Sequence, residues 1–123
     1  MARILVFDRE IKHRALILKP LKGHTLRIFG DLETSLNYFE DNFLDIDLII
    51  ADFELPMLEG LYFSRLDLTI KKVPIILVTT TIFSGRVKNG MKMAGIVDVV
   101  TKPLDKEIFL QAVNNALKNK EDI

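Results

Sequence analysis

Asp47 to Gly60 reads D-L-I-I-A-D-F-E-L-P-M-L-E-G. Leu48 to Ala51 is a continuous apolar run without alternation, the pattern of a strand buried on both faces of a parallel sheet. The run ends on Asp52, and the breakers Pro56 and Gly60 follow. A carboxylate is thus delivered to the C-terminal end of a central strand, facing a loop. In open parallel sheets that edge is where ligands bind.

Working outward, four further runs read as strands. Arg3 to Phe7 ends on Asp8, Arg9 and Glu10, and Thr25 to Phe29 is closed by Gly30-Asp31. Val73 to Val78 is the fourth, its Pro74 tolerated among the first residues of a strand. Ile96 to Val100 is a short fifth strand interrupted by Asp98 and ended by Thr101-Lys102-Pro103.

Helical spacing fills the intervals. Ile11, Ala15 and Leu18 recur until Pro20 to Gly23 stops the pattern. Asp31 is placed to cap a helix whose stripe is Leu32, Leu36, Phe39 and Phe43. A third helix is expected from about Leu58 to Thr69. A fourth, over Ser84 to Ala94, contains Gly85, Asn89 and Gly90; each glycine costs about 1 kcal/mol relative to alanine, so this element is expected to be mobile. Asp105 caps the last helix, with Leu104 and Phe109 as a hydrophobic staple. Phe109, Ala112, Val113 and Ala116 form its buried face, and Lys118 and Lys120 suit its dipole. Five strands alternating with five helices predict a parallel sheet covered on both faces. At this length the natural closure is one domain, residues 1–123, with a flavodoxin-like doubly wound (βα)5 fold and strand order 2-1-3-4-5.

Composition narrows the function. Hydrophobic residues make up 49% of the 123, which supports a packed core and argues against disorder. Seventeen basic and seventeen acidic residues balance, which speaks against nucleic-acid or membrane-surface binding driven by net charge. Without cysteine there is neither a disulfide framework nor a thiolate metal site. No apolar run approaches the roughly 18 residues that span a bilayer, and Ala2 to Phe7 is too short for a signal-peptide core. A cytoplasmic protein is expected. His13 and His24 are isolated and read as surface residues; Met91 and Met93 read as packing residues.

The strand ends carry the chemistry. Asp8 closes strand one, Asp52 strand three and Thr79 strand four, while Lys102 follows strand five. A parallel sheet puts all four on one side of the molecule. Two carboxylates suit a hard cation, and a hydroxyl and an ammonium suit phosphoryl oxygens. Asp52 is placed to act as a nucleophile that forms an acyl phosphate.

On these residues the chain resembles the receiver domain of two-component response regulators. The resemblance is carried by I-L-V-F-D at Ile4 to Asp8, the Asp47 to Gly60 stretch, P-I-I-L-V-T at Pro74 to Thr79, and G-I-V-D-V-V-T-K-P at Gly95 to Pro103. It implies that Asp52 is the phosphoacceptor, supplied by a sensor histidine kinase or a phosphotransfer protein. Thr79 would gather a phosphoryl oxygen and Lys102 would pair with the phosphate. Mg²⁺ or Mn²⁺ would be held by Asp8, Asp52 and the backbone carbonyl of Glu54. Pro103 would follow a cis peptide bond. Output would pass through the face of the fourth helix, fifth strand and fifth helix, to a partner or an output domain. A homodimer through that face is a family habit; direct nucleic-acid or membrane binding is not expected.

Four departures from the family pattern stand out. Arg9 occupies the position of a second metal-ligating acid, moving the local charge by two units; at an effective dielectric near 20, unit charges about 4 Å apart interact by ~4 kcal/mol. Val99 stands where the family has Tyr or Phe, and valine is too short and stiff to make that aromatic's rotamer swing. Thr80 replaces a small residue beside the phosphate entrance. The stretch from Thr80 to Gly95 is one residue longer than the common spacing. These departures keep a second reading open: a degenerate receiver in which Arg9 pairs with Asp52 in place of the metal, acting as a phosphorylation-independent interaction module. A phosphatase of the haloacid-dehalogenase type is a remote third, lacking a further acidic pair. A flavodoxin proper is disfavoured by the charged Asp8-Arg9-Glu10 loop. In either receiver reading the chain is not an enzyme beyond catalysing its own phosphorylation and dephosphorylation.

Overall fold

The computed structural model describes residues 2–8, 11–52, 73–93 and 95–121. Its strands are β1 (Arg3–Phe7), β2 (Thr25–Phe29), β3 (Leu48–Asp52), β4 (Ile75–Thr79) and β5 (Ile96–Thr101). All neighbours pair in parallel, in the order β2-β1-β3-β4-β5. The helices among the described residues are α1 (Ile11–Leu18), α2 (Leu32–Asn42), α3 (Gly85–Met93) and α4 (Lys106–Glu121). The helix expected over Leu58 to Thr69 lies outside the described residues, as do Arg9, Glu10 and Glu54. The side chains of His13, Met91, Met93 and Lys120 also lie outside them.

Strand periodicity sorts the core into two layers. Successive residues of β1 point to opposite faces. Ile4 and Val6 join Ile17, Leu21, Ile50, Val78, Phe109 and Val113 on the side covered by α1 and α4. Leu5 and Phe7 join Phe39, Ile49, Ala51 and Leu77 on the side covered by α2. Every residue of β3 and β4 is buried, as unalternating apolar runs require.

Capping follows the sequence closely. The Asp31 carboxylate accepts from the Thr34 N–H at 2.8 Å and from its hydroxyl at 2.7 Å. The buried Ser35 hydroxyl donates to the Asp31 carbonyl at 2.9 Å, so the first turn of α2 is closed from both sides. Asp105 Oδ1 accepts from the N–H groups of Glu107 and Ile108 at 2.9 and 3.0 Å. Leu104 packs against the cluster that contains Phe109, the arrangement of a staple.

Three local expectations need correction. Among the described side chains after strand one, Ile17 and Leu21 are buried, whereas Ala15 is exposed and Leu18 half-buried. The helical pattern runs on into a 3₁₀ turn, Lys19–Leu21, which carries Leu21 into the core. Asp98 does not interrupt the fifth strand. Ile75 pairs with Ile96 and Ile76 with Asp98, so Val97 is an extra residue accommodated by a bulge. Asp98 turns its carboxylate to the Val99 N–H at 2.8 Å. His24 is not an isolated surface group: it is half-buried and its Nδ1 accepts from the Ala2 N–H at 3.1 Å.

Candidate functional site

The C-terminal ends of β1, β3, β4 and β5 meet along one edge of the sheet. Asp52 is the last residue of β3, and Asp8 is the residue after β1. Phe7 pairs with Ala51, so the two acids sit one step beyond a paired position on adjacent strands. The Asp8 N–H donates to the Phe29 carbonyl at 2.9 Å, which ties its backbone to the end of β2. Both carboxylates are buried, Asp8 fully and Asp52 to within 6%.

Lys102 reaches this edge from the far side. Thr79 pairs with Thr101 in the β4–β5 ladder, and the Lys102 N–H extends it by donating to the Thr79 carbonyl at 2.8 Å. The side chain then crosses to Asp52, with Nζ 2.9 Å from Oδ1 and 2.8 Å from Oδ2. Side-chain exposure is 12% for Lys102 and 4% for Asp52, so this is a buried ion pair. Such a pair persists only with good geometry, because removing two charges from water costs several kcal/mol each. The Lys102–Pro103 peptide bond is cis.

Thr79 is fully buried at the end of β4, and its hydroxyl oxygen accepts from the Thr81 N–H at 3.1 Å. The sequence carries no signal for Thr81, which acts through its main chain. Thr80 is exposed. Val99 is half-buried and packs with the α2-side core beside Leu77, its partner in the ladder. The structure thus brings Asp52 and Lys102 into contact and puts Asp8 and Thr79 on the same edge, while Thr80 faces solvent.

The donor chemistry of this edge is that of a hard-cation site. No group of three His, Asp or Glu residues converges among the described residues. Two carboxylates with main-chain carbonyls and water make a donor set of the kind Mg²⁺ commonly takes.

The model of the response regulator receiver domain matches residues 4–114. The chain belongs to the response regulator receiver domain family. The receiver is 26% identical to Vibrio cholerae chemotaxis protein CheY4, with a TM-score of 0.78 over 95% of this chain and 99% of that one. It is also 26% identical to a receiver domain protein from Clostridium thermocellum, TM-score 0.79 over 98% of each chain. A protein-glutamate methylesterase/protein-glutamine glutaminase of Burkholderia thailandensis is 32% identical over 112 residues, 85% of the receiver. Hybrid signal transduction histidine kinase M of Dictyostelium discoideum is 23% identical over 126 residues, 96% of the receiver. The receiver spans only 30% of the methylesterase and 5% of the kinase. Receivers are signalling domains, and their family implies a histidine kinase or phosphotransfer protein as partner. No helix among the described residues is long and apolar enough to cross a membrane.

Proposed function

We propose that this receiver is a phosphorylation-controlled switch, a single domain that accepts a phosphoryl group on Asp52 from a histidine kinase or phosphotransfer protein. The observation that carries the reading is the buried Asp52 carboxylate at the end of β3, gripped through both oxygens by Lys102. An Asp52 oxygen attacks phosphorus, the bond from phosphorus to the donor's imidazole nitrogen breaks, and its electron pair leaves with that nitrogen. Lys102 then moves from the carboxylate to a phosphoryl oxygen without leaving the edge, and the Thr79 hydroxyl takes another. Asp8, Asp52 and the carbonyl of Glu54 would hold Mg²⁺ or Mn²⁺, which neutralises phosphoryl charge when bound.

Output through α3, β5 and α4 is supported by Ile82, Val87, Val97 and Ile108, large apolar side chains left exposed on and beside those elements. A partner or a second copy of the chain would cover them.

The test is exposure to acetyl phosphate with and without Mg²⁺, read by intact mass. A Mg²⁺-dependent gain of one phosphoryl group, absent from Asp52→Ala, is expected. No gain in the wild type, with a gain in Arg9→Asp, would replace this reading with that of a phosphorylation-independent module.

A further inference from the structure

At the opposite edge of the sheet, a cleft of about 270 Å³ opens between the start of β1 and β2 and the C-terminal end of α2. Ile4 and Leu5 of β1 line it, with Arg3, Thr25 and Arg27 from the strands and Tyr38, Asn42 and Asp45 from the helical side. The cleft exists because β2 is an outer strand whose first half is poorly covered. Thr25 and Arg27 are exposed, and α2 closes on β2 only further along, where the Phe29 and Tyr38 rings lie 5.2 Å apart.

Its charge is unusual for a sheet face packed by a helix. Arg27 pairs in register with Leu5, which belongs to the α2-side core, so its side chain leaves the sheet on that same side. Among the described residues the Arg27 side chain forms no ion pair or hydrogen bond. The Arg3 guanidinium lies 3.7 Å from Asp45, but both side chains are about two-thirds exposed. An exposed pair at that distance contributes little and exchanges partners readily. Asn42 already donates to the Tyr38 carbonyl at 2.9 Å, which holds its amide beside the opening. A basic residue that merely guards an outer strand against pairing needs no concavity beside it. Here two guanidinium groups and the hydroxyls of Thr25 and Tyr38 line one cavity.

We propose that this cleft is a binding site for a small oxyanionic ligand, a phosphoryl or carboxylate compound, with Arg27 as its principal anchor. The planar guanidinium fork matches two oxygens of either group. Arg3 supplies a second positive charge while it offsets the Asp45 carboxylate in the same lining. The volume falls just below that of sites for drug-sized molecules and admits a compact anion. Arg27 is in register with Leu5 and Leu5 with Ile49, three residues before Asp52 and two strands away, so Arg27 and Asp52 lie about 14 Å apart across the sheet. Occupancy of the two sites is therefore separable.

The test is an amide NMR titration with pyrophosphate and, separately, citrate, without divalent cation. Saturable shifts centred on Thr25–Arg27 and on Tyr38 to Asp45 are expected. Arg27→Gln should weaken binding about tenfold, the loss expected for one charge-assisted contact, and Arg27→Lys should weaken it less. The probe that saturates at the lower concentration identifies the preferred oxyanion. Shifts that never saturate, that are the same in Arg27→Gln, or that centre on Asp8, Asp52 and Lys102 would overturn the proposal.

Discussion

Two charges share one small volume at Asp52 and Lys102, and neither has enough water to be stable alone. With side chains only 4% and 12% exposed, each depends on the other. Truncating the base leaves a buried carboxylate beside the acid of Asp8, whereas truncating both partners removes the problem. Lys102→Met should therefore destabilise the receiver by about 3 kcal/mol, the scale of a broken buried pair. Adding Asp52→Asn should restore much of that loss. Urea denaturation of the two single variants and the double variant checks this, and additive losses would show that the pair is not coupled. In the proposed switch, the ammonium that steadies the acid would already be in reach of a phosphoryl group added to it. Asp52 and Lys102 were legible as members of one edge, because Asp52 ends a strand run and Lys102 directly follows one. The sequence pointed Lys102 to the phosphate, however, and offered Arg9 as the partner of Asp52. The two-oxygen grip was not legible, since it depends on how far the Lys102 main chain is drawn in by its bond to Thr79.

The elements were legible where apolar runs and caps were strong. β3 needed only its unbroken run, and Asp31 and Asp105 cap the helices their positions suggested. Errors arose where local pattern and tertiary packing differ. Periodicity pointed to Ala15 and Leu18, but the buried positions are Ile17 within α1 and Leu21, four residues on, in the turn that follows it. Asp98 looked like a strand breaker, yet the bulge at Val97 lets the ladder continue past it. The turn into β5 belongs to this scale. Gly95 has φ +97, its N–H donates to the Lys92 carbonyl at 3.1 Å, and its carbonyl accepts from Ile75 at 3.1 Å. A Cβ there would meet nothing within 4 Å, so any penalty is conformational rather than steric. Gly95→Ala should cost about 1–2 kcal/mol, and Gly95→Asn less, because asparagine tolerates the left-handed region better. Thermal denaturation of both variants measures the difference; equal losses would point to a clash instead.

Across the whole molecule, the sheet concentrates stability in its middle. β1, β3 and β4 are nearly or wholly buried, while β2 is largely exposed or half-covered and β5 is buried at only two of its six positions. Amide hydrogen exchange should accordingly be slowest in β1, β3 and β4 and faster in β2 and β5. Uniform protection across all five would indicate a single cooperative unit with no soft edges. The parallel order and the gathering of strand ends followed from alternation and length alone. The cleft at the other end did not, because Arg3, Arg27 and Tyr38 come together only once β2 lies outside β1 and α2 stops short of it.

The separation of 50 residues between Asp52 and Lys102 also orders events in time. Both acids of this edge leave the ribosome before the lysine that steadies one of them. At about 5–20 residues per second, the interval is several seconds. During it the nascent chain can assemble β1, β2 and β3, but it carries a negative edge without its lysine, and only β5 brings that charge into place. Phe109 and Val113 follow Lys102 in the chain, so the α4 side of the core and the lysine of this edge are completed together.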